Sequence, residues 1–93
     1  MLTIPRPNLY ESSEGFSVEV LGQTGLTYRD KGREMFIDSE VLSGPAGMAV
    51  YRDTISCWKP PHDDEIISDD EKEHIMQNIR EVFRFQGFEI EII

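Results

Sequence analysis

One stretch of the chain, residues 68–87, has clear helical periodicity, and it restricts the folds open to the rest. The apolar residues that recur at this spacing are Ile75, Met76, Ile79, Val82 and Phe83. Ser68 followed three residues later by Glu71 is a capping-box signature, and Gly87 is well placed to end the helix. A helix with one apolar stripe must bury that stripe against another element, so the remaining segments have to supply a covering layer.

Alternating apolar and polar residues predict that this layer is a sheet. In Phe16–Leu21 the period is that of a half-buried strand. Two further runs, Leu26–Arg29 and Glu34–Asp38, flank Asp30–Arg33, where Gly32 can take a positive φ. We therefore expect these two runs to form a hairpin.

Two more strands are expected in the second half. Ser43–Gly47 has the composition of a loop, Met48–Tyr51 is short and apolar, and Phe88–Ile93 alternates with Phe88, Ile90 and Ile92 facing inward. The pattern predicts an α+β fold: a small, mostly antiparallel sheet of about five strands, with one helix from the C-terminal half packed on one face. We expect a single domain over residues 1–93, with residues 1–15 as a loosely ordered lead-in.

Composition indicates an independently folding chain of the cytoplasm. Ninety-three residues with 39% hydrophobic content suffice for one core. Cys57 is the only cysteine, so no internal disulfide can form, and its apolar neighbours predict a buried thiol. The N-terminus has no basic head with an apolar run, and no long apolar segment follows. We expect neither secretion nor membrane association.

The segment Asp63–Glu73 contains seven carboxylates and one ammonium, on a chain with a net charge of −9. This charge disfavours nucleic-acid binding, which needs clustered basic residues. Carboxylates in the first helical turn oppose the helix dipole, which explains residues 69–71. The carboxylates beyond that need are Asp63, Asp64, Glu65 and Glu73. They form a negative patch suited to a basic partner.

Other functions remain open as alternatives. A small enzyme or ligand-binding domain would assemble its site from Asp38, Glu40 and His62. A dimer would pair through an exposed edge strand, Phe88–Ile93 or Phe16–Leu21. The acidic run lacks the ligand spacing and central glycine of an EF-hand loop, so calcium binding there would be adventitious. No motif indicates a resident metal or cofactor.

Short motifs along most of the chain resemble a known family. They are Thr24–Tyr28, Phe36–Leu42, Gly44-Pro45, Val50-Tyr51, Ile55, Trp58, Pro60-Pro61-His62, Asn78-Ile79 and Phe85-Gln-Gly87. From about Thr24 to Ile93 the sequence is similar to the bacterial polymorphic-toxin immunity proteins, specifically immunity protein 74. The resemblance implies a cytoplasmic protein that is encoded beside a secreted toxin and blocks that toxin by binding it, with no catalytic residues of its own.

The charge pattern and the family resemblance together predict a non-catalytic binding protein whose acidic surface faces a basic toxin domain. The four excess carboxylates would steer the encounter, with Asp38 and Glu40 as further contacts. Trp58 would anchor the interface provided that its side chain is exposed, and core packing is the alternative for this residue.

Overall fold

Seven strands and one long helix make up the part of the chain that the computed structural model describes, residues 1–22, 24–42 and 46–93. The strands are β1 (Leu2–Arg6), β2 (Leu9–Ser12), β3 (Phe16–Val20), β4 (Thr24–Asp30), β5 (Arg33–Val41), β6 (Ala46–Val50) and β7 (Glu89–Ile92). The helix α1 covers Asp69–Phe85, and a short 3-10 helix covers Arg52–Thr54. All seven strands join one sheet, in which their spatial order is their order in the sequence.

The sheet is mixed. Neighbouring strands from β1 to β6 run antiparallel, whereas β6 and β7 run parallel. Two parallel neighbours need a long crossover between them, and α1 supplies it because it lies between β6 and β7 in the sequence. The one helix therefore both covers the sheet and returns the chain to its last strand.

The predicted α+β class is confirmed, and the mostly antiparallel sheet is roughly right because only β6 and β7 pair in parallel, but the expected five strands are too few. The two additional strands, β1 and β2, lie within residues 1–15, where the sequence predicted a lead-in. Most of their residues are exposed, so they lack the apolar alternation of a half-buried strand. They are held in the sheet because β2 pairs with β3 and β1 pairs with β2.

Two local expectations also need correction. Phe88 does not face inward within a strand; it precedes β7 and is 48% exposed. Of the loop expected over Ser43–Gly47, Ser43, Gly44 and Pro45 lie outside the described residues, and Ala46 and Gly47 belong to β6.

Both ends of α1 are as predicted. The Oγ of Ser68 accepts a hydrogen bond from the backbone N–H of Glu71 at 3.1 Å, which makes Ser68 the N-cap. At the other end Gly87 has a φ of 88°. The N–H of Phe88 donates to the carbonyl of Phe83 at 2.9 Å, and that of Gly87 to the carbonyl of Arg84 at 2.9 Å. This is the Schellman arrangement, in which a left-handed glycine stops the helix.

The predicted hairpin joins β4 to β5. Asp30 pairs with Arg33, and the two residues between them, Lys31 and Gly32, have φ angles of 53° and 79°. Positive φ at both central positions is the type I′ geometry that matches the twist of paired strands. The turn thereby sets the register that points Met35 of β5 into the core.

The core lies between α1 and one face of the sheet. Its residues are Phe16, Val18, Leu26, Tyr28, Met35, Ile37, Met48, Val50, Ile55, Trp58, Ile75, Met76, Ile79, Val82 and Phe83. One chain of hydrogen bonds links polar groups at this core: the Nδ2 of Asn78 donates to the Tyr28 hydroxyl at 2.9 Å, and that hydroxyl donates to Oδ2 of Asp30 at 3.0 Å. Burial raises the pKa of Tyr28, so its hydroxyl remains a donor. No helix in the described part is long and apolar enough to cross a membrane.

Candidate partner-binding surface

The segment between the 3-10 helix and α1 is fixed to the sheet at its start. Trp58 is only 1% exposed, and its ring lies 6.2 Å from that of Tyr28, centroid to centroid. The backbone N–H of Lys59 donates to the carbonyl of Glu34 on β5 at 2.7 Å. Trp58 is therefore a core residue, and the exposure that an interface anchor would need is absent.

Arg33, the first residue of β5, holds the following turn. Its guanidinium carbon lies 4.3 Å from the centroid of the Trp58 ring, a cation–π geometry. Its Nη1 contacts Oε1 of Glu65 at 3.0 Å, and its Nη2 lies 3.7 Å from Oε2 of Glu71. The other oxygen of Glu65 lies 2.7 Å from Nδ1 of His62. These hydrogen bonds, first that of His62 and then that of Arg33, lower the pKa of Glu65. Glu65 thus ties the turn to the sheet.

We call residues 62–70 the acidic loop; it includes Asp69 and Asp70, the first two residues of α1. Unlike Glu65, several of its side chains lie in solvent without a partner on the described part of the sheet. Asp63, Asp64, Asp69 and Asp70 are exposed, and Ile66 between them is 94% exposed. Within the described ranges, no ion pair involves Asp63 or Asp64. Ile67, which follows Ile66, is half-buried and packs against the core. The acidic loop therefore presents one exposed apolar side chain, flanked in the sequence by exposed aspartates, on a turn that is held at both ends.

Glu73, like Glu65, has a cationic partner. Its Oε1 lies 3.3 Å from Nη2 of Arg52, and both side chains are more than half exposed. Of the four carboxylates that the sequence singled out, Glu65 and Glu73 form ion pairs. Asp63 and Asp64 form none within the described part of the chain.

The three residues of the alternative enzyme site are engaged separately. Glu40 accepts a hydrogen bond from the Tyr51 hydroxyl at 2.9 Å, which raises the pKa of Tyr51. The N–H of Asp38 donates to Oγ1 of Thr54 at 2.9 Å, whereas His62 contacts Glu65. Within the described residues, no side-chain hydrogen bond joins Asp38, Glu40 and His62 to one another. Nor does the described part contain a group of three acidic, histidine or cysteine residues that could hold a metal ion together.

Two further predictions can be compared with the structure. Cys57 is exposed rather than buried, because the buried positions of its segment go to Ile55 and Trp58. Of the two strands expected to offer a free edge, Phe16–Leu21 corresponds to β3, which is paired with β2 and β4. Phe88–Ile93 contains β7, which lies at the end of the sheet.

Sequence reasoning missed two residues of this surface. The charge pattern does not single out Ile66, although an Ile-Ile pair inside an acidic run is itself a signal: one residue packs and the other is left in solvent. For Arg33 the sequence predicts only a place in the β4–β5 turn. Its distance in sequence from Glu65 hides their contact, and no local pattern could have found it.

The structure thus combines a small α+β fold with an exposed acidic loop. In a comparison with protein families, the model of the family described as immunity protein 74 matches residues 18–93. The chain therefore belongs to the immunity protein 74 family, which confirms the predicted resemblance and implies, in general, a toxin as partner. Searches of curated proteins and of solved structures found no match.

Proposed function

We propose that the protein neutralises a cognate toxin by direct, non-catalytic contact in the cytoplasm, with the acidic loop facing a basic surface of the toxin. The family supports the general role. The observation that carries the choice of surface is Ile66, an almost fully exposed apolar side chain among four exposed aspartates.

Such an arrangement resembles the anatomy of a protein interface. Binding energy concentrates in a few central side chains that lose water, while a polar rim supplies specificity. Ile66 would be the central side chain, and Asp63, Asp64, Asp69 and Asp70 the rim. Because Arg33 and Trp58 hold the turn, less conformational entropy would be lost on binding than with a free loop.

The charge of the molecule favours fast encounter with a basic partner. A net charge of −9 and a local cluster of carboxylates together create a field that steers cationic surfaces toward the acidic loop. Steering of this kind raises association rates toward about 10⁸–10⁹ M⁻¹s⁻¹ at low salt, and the gain fades as salt screens the charges. Asp38 and Glu40, exposed on β5, are proposed as further contacts.

The test measures association and dissociation with the toxin domain encoded beside this protein. Asp63→Asn with Asp64→Asn should slow association and flatten its salt dependence, because it removes charge and no recorded contact. Ile66→Ala should mainly speed dissociation. The matched control is Glu11→Gln with Glu14→Gln, which removes the same charge from exposed residues outside the family match. Glu65 stays unchanged because it holds the turn.

Three outcomes separate the parts of this proposal. If the control slows association as much as the aspartate pair, net charge and not the acidic loop is responsible. If the toxin binds all variants alike, the inhibitory contacts lie elsewhere, with the Asp38–Glu40 segment as the next region to change. If the toxin does not bind the wild-type protein, direct neutralisation is refuted.

A further inference from the structure

The last strand, β7, has a neighbour on one side only in the described sheet. The N–H of Ile93 donates to the carbonyl of Val50 at 2.9 Å, and its own carbonyl accepts from the N–H of Arg52 at 2.9 Å. Successive residues of a strand direct their backbone groups to opposite edges. The N–H and C=O groups of Ile90 and Ile92 therefore face away from β6, toward the open edge.

The side chains of β7 are sorted by face. Ile90 and Ile92 are half-buried and pack against the core, whereas Glu89 and Glu91, which alternate with them, are exposed. Oε1 of Glu89 lies 3.5 Å from Nε of Arg84, and both of these side chains are more than half exposed. Phe88 and Ile93 flank the strand and are 48% and 62% exposed. A strand added here would extend both the hydrogen-bond ladder and the apolar layer under it.

The edge at the other end of the sheet, formed by β1, is a poorer template for an added strand. Pro5 lies in the middle of β1 and has no backbone N–H, and a register irregularity between Thr3 and Arg6 distorts the same strand. A strand that pairs with this protein by its backbone therefore finds the more regular template at β7.

A second copy of the chain is a poor occupant of this edge. In an antiparallel pair, residues directly opposite one another lie on the same face. The two longest registers between two β7 strands place Glu91 opposite either Glu91 or Glu89 of the second copy. Like charges directly opposite are destabilising. The same alternation favours a strand with Lys or Arg at every second position.

We infer that β7 is a docking edge for a basic β-strand of the toxin, which would pair with the backbone of Ile90 and Ile92 and with the carboxylates of Glu89 and Glu91. This inference rests on the proposed function and adds a mode of binding to it. On its other side, β7 is linked to α1 through Arg52, whose N–H donates to the carbonyl of Ile93 and whose guanidinium contacts Glu73 on the helix.

Amide hydrogen exchange, followed residue by residue by NMR, tests the pairing directly. In the free protein the amides of Ile90 and Ile92 should exchange quickly, whereas that of Ile93 is protected by its bond to Val50. In the complex with the toxin domain, Ile90 and Ile92 should slow by roughly tenfold or more, as new ladder bonds require. If the toxin binds and these two amides keep their free exchange rates, the inference is overturned while the proposed function stands.

Charge reversal tests the chemistry of the occupant. Glu89→Lys with Glu91→Lys should weaken toxin binding by roughly tenfold or more, since two attractive cross-strand pairs become repulsive. The matched control is Glu11→Lys with Glu14→Lys. It makes the same change in net charge, at or beside β2, near the other end of the strand order. Equal weakening by both variants would assign the effect to net charge and overturn the pairing. A wild-type protein that sediments as a dimer, and becomes a monomer on reversal, would assign the edge to a second copy and also overturn it. A toxin that does not bind at all refutes the proposed function, and this inference with it.

Discussion

Arg33→Ala is the substitution that best tests how the acidic loop is held. The guanidinium stacks on Trp58 and contacts Glu65 and Glu71, so one side chain links the sheet, the core and the loop. Removing it should destabilise the protein and release the turn that carries Ile66.

The magnitude follows from the exposure of each contact. Arg33 is 19% exposed in its side chain, whereas Glu65 and Glu71 are 43% and 32% exposed, so solvent screens both ion pairs. Such pairs contribute about 0.2–1 kcal/mol, and the pair at 3.7 Å belongs at the lower end. A cation–π contact contributes about 0.5–2 kcal/mol, depending on its desolvation. Together the contacts give a loss of roughly 1–3 kcal/mol in the free energy of unfolding.

Urea denaturation followed by fluorescence measures this loss. Trp58 is the only tryptophan, and it lies directly beneath the mutated side chain, so it reports both global unfolding and local exposure. For a domain of this size the midpoint should fall by roughly 1 M or more. Arg33→Lys keeps the charge but loses the planar stack and should show an intermediate loss. Arg33→Met keeps an apolar stem over the ring without charge.

Two results would refute the reasoning. An Arg33→Ala protein with the wild-type midpoint would show that the guanidinium contacts contribute nothing to stability. If the Arg33→Met protein is as stable as the wild type, the stability lost in Arg33→Ala comes from packing on Trp58, and the ion pairs contribute nothing to it.

Three further predictions concern the helix, the core and the response to acid. Ser68→Ala should lower the free energy of unfolding by about 0.5–2 kcal/mol in chemical denaturation, because an N–H of the first turn loses its acceptor; an unchanged midpoint would contradict the cap. Phe83→Ala should cost about 3–5 kcal/mol by the same assay, since the ring is buried against the sheet; near-wild-type stability would mean that α1 packs otherwise. Hydrogen bonds lower the pKa values of Glu19, Glu34 and Glu65 below their ordinary 4.5, so their stabilisation is complete above that value and is lost as the pH falls through the lowered values. Denaturation between pH 3 and pH 7 should show the decline only at the acid end, and stability that rises there would reverse the assigned sign.

The fold was predictable wherever local chemistry decides it. The helix from Ser68 to Gly87 and the turn at Gly32 depend on caps and φ angles that belong to a few adjacent residues. Strands β1 and β2 were missed because they are mainly exposed and are held by their neighbours, β1 by β2 and β2 by β3, rather than by a pattern of their own. The parallel pairing of β7 with β6 joins residues far apart in sequence, which periodicity alone cannot reveal.

The site was predictable in its charge but not in its pairing. The exposure of the acidic residues was predictable, because charged side chains are rarely buried. Which of them are neutralised depends on Arg33 and Arg52, and both of these lie in other elements. The same tertiary dependence decides that Trp58 is buried while Ile66 is exposed.

The parallel pair of strands also has a consequence for folding. Strands β1 to β5 are sequential antiparallel neighbours, so their contacts close short segments of chain and can form early. Pairing β7 with β6 must instead close a loop of residues 51–88 and requires α1 to dock on the sheet, at a greater cost in chain entropy. A partly folded chain could therefore contain the antiparallel meander and still lack the edge to which we assign toxin pairing. Binding competence would then appear only with the last step of folding.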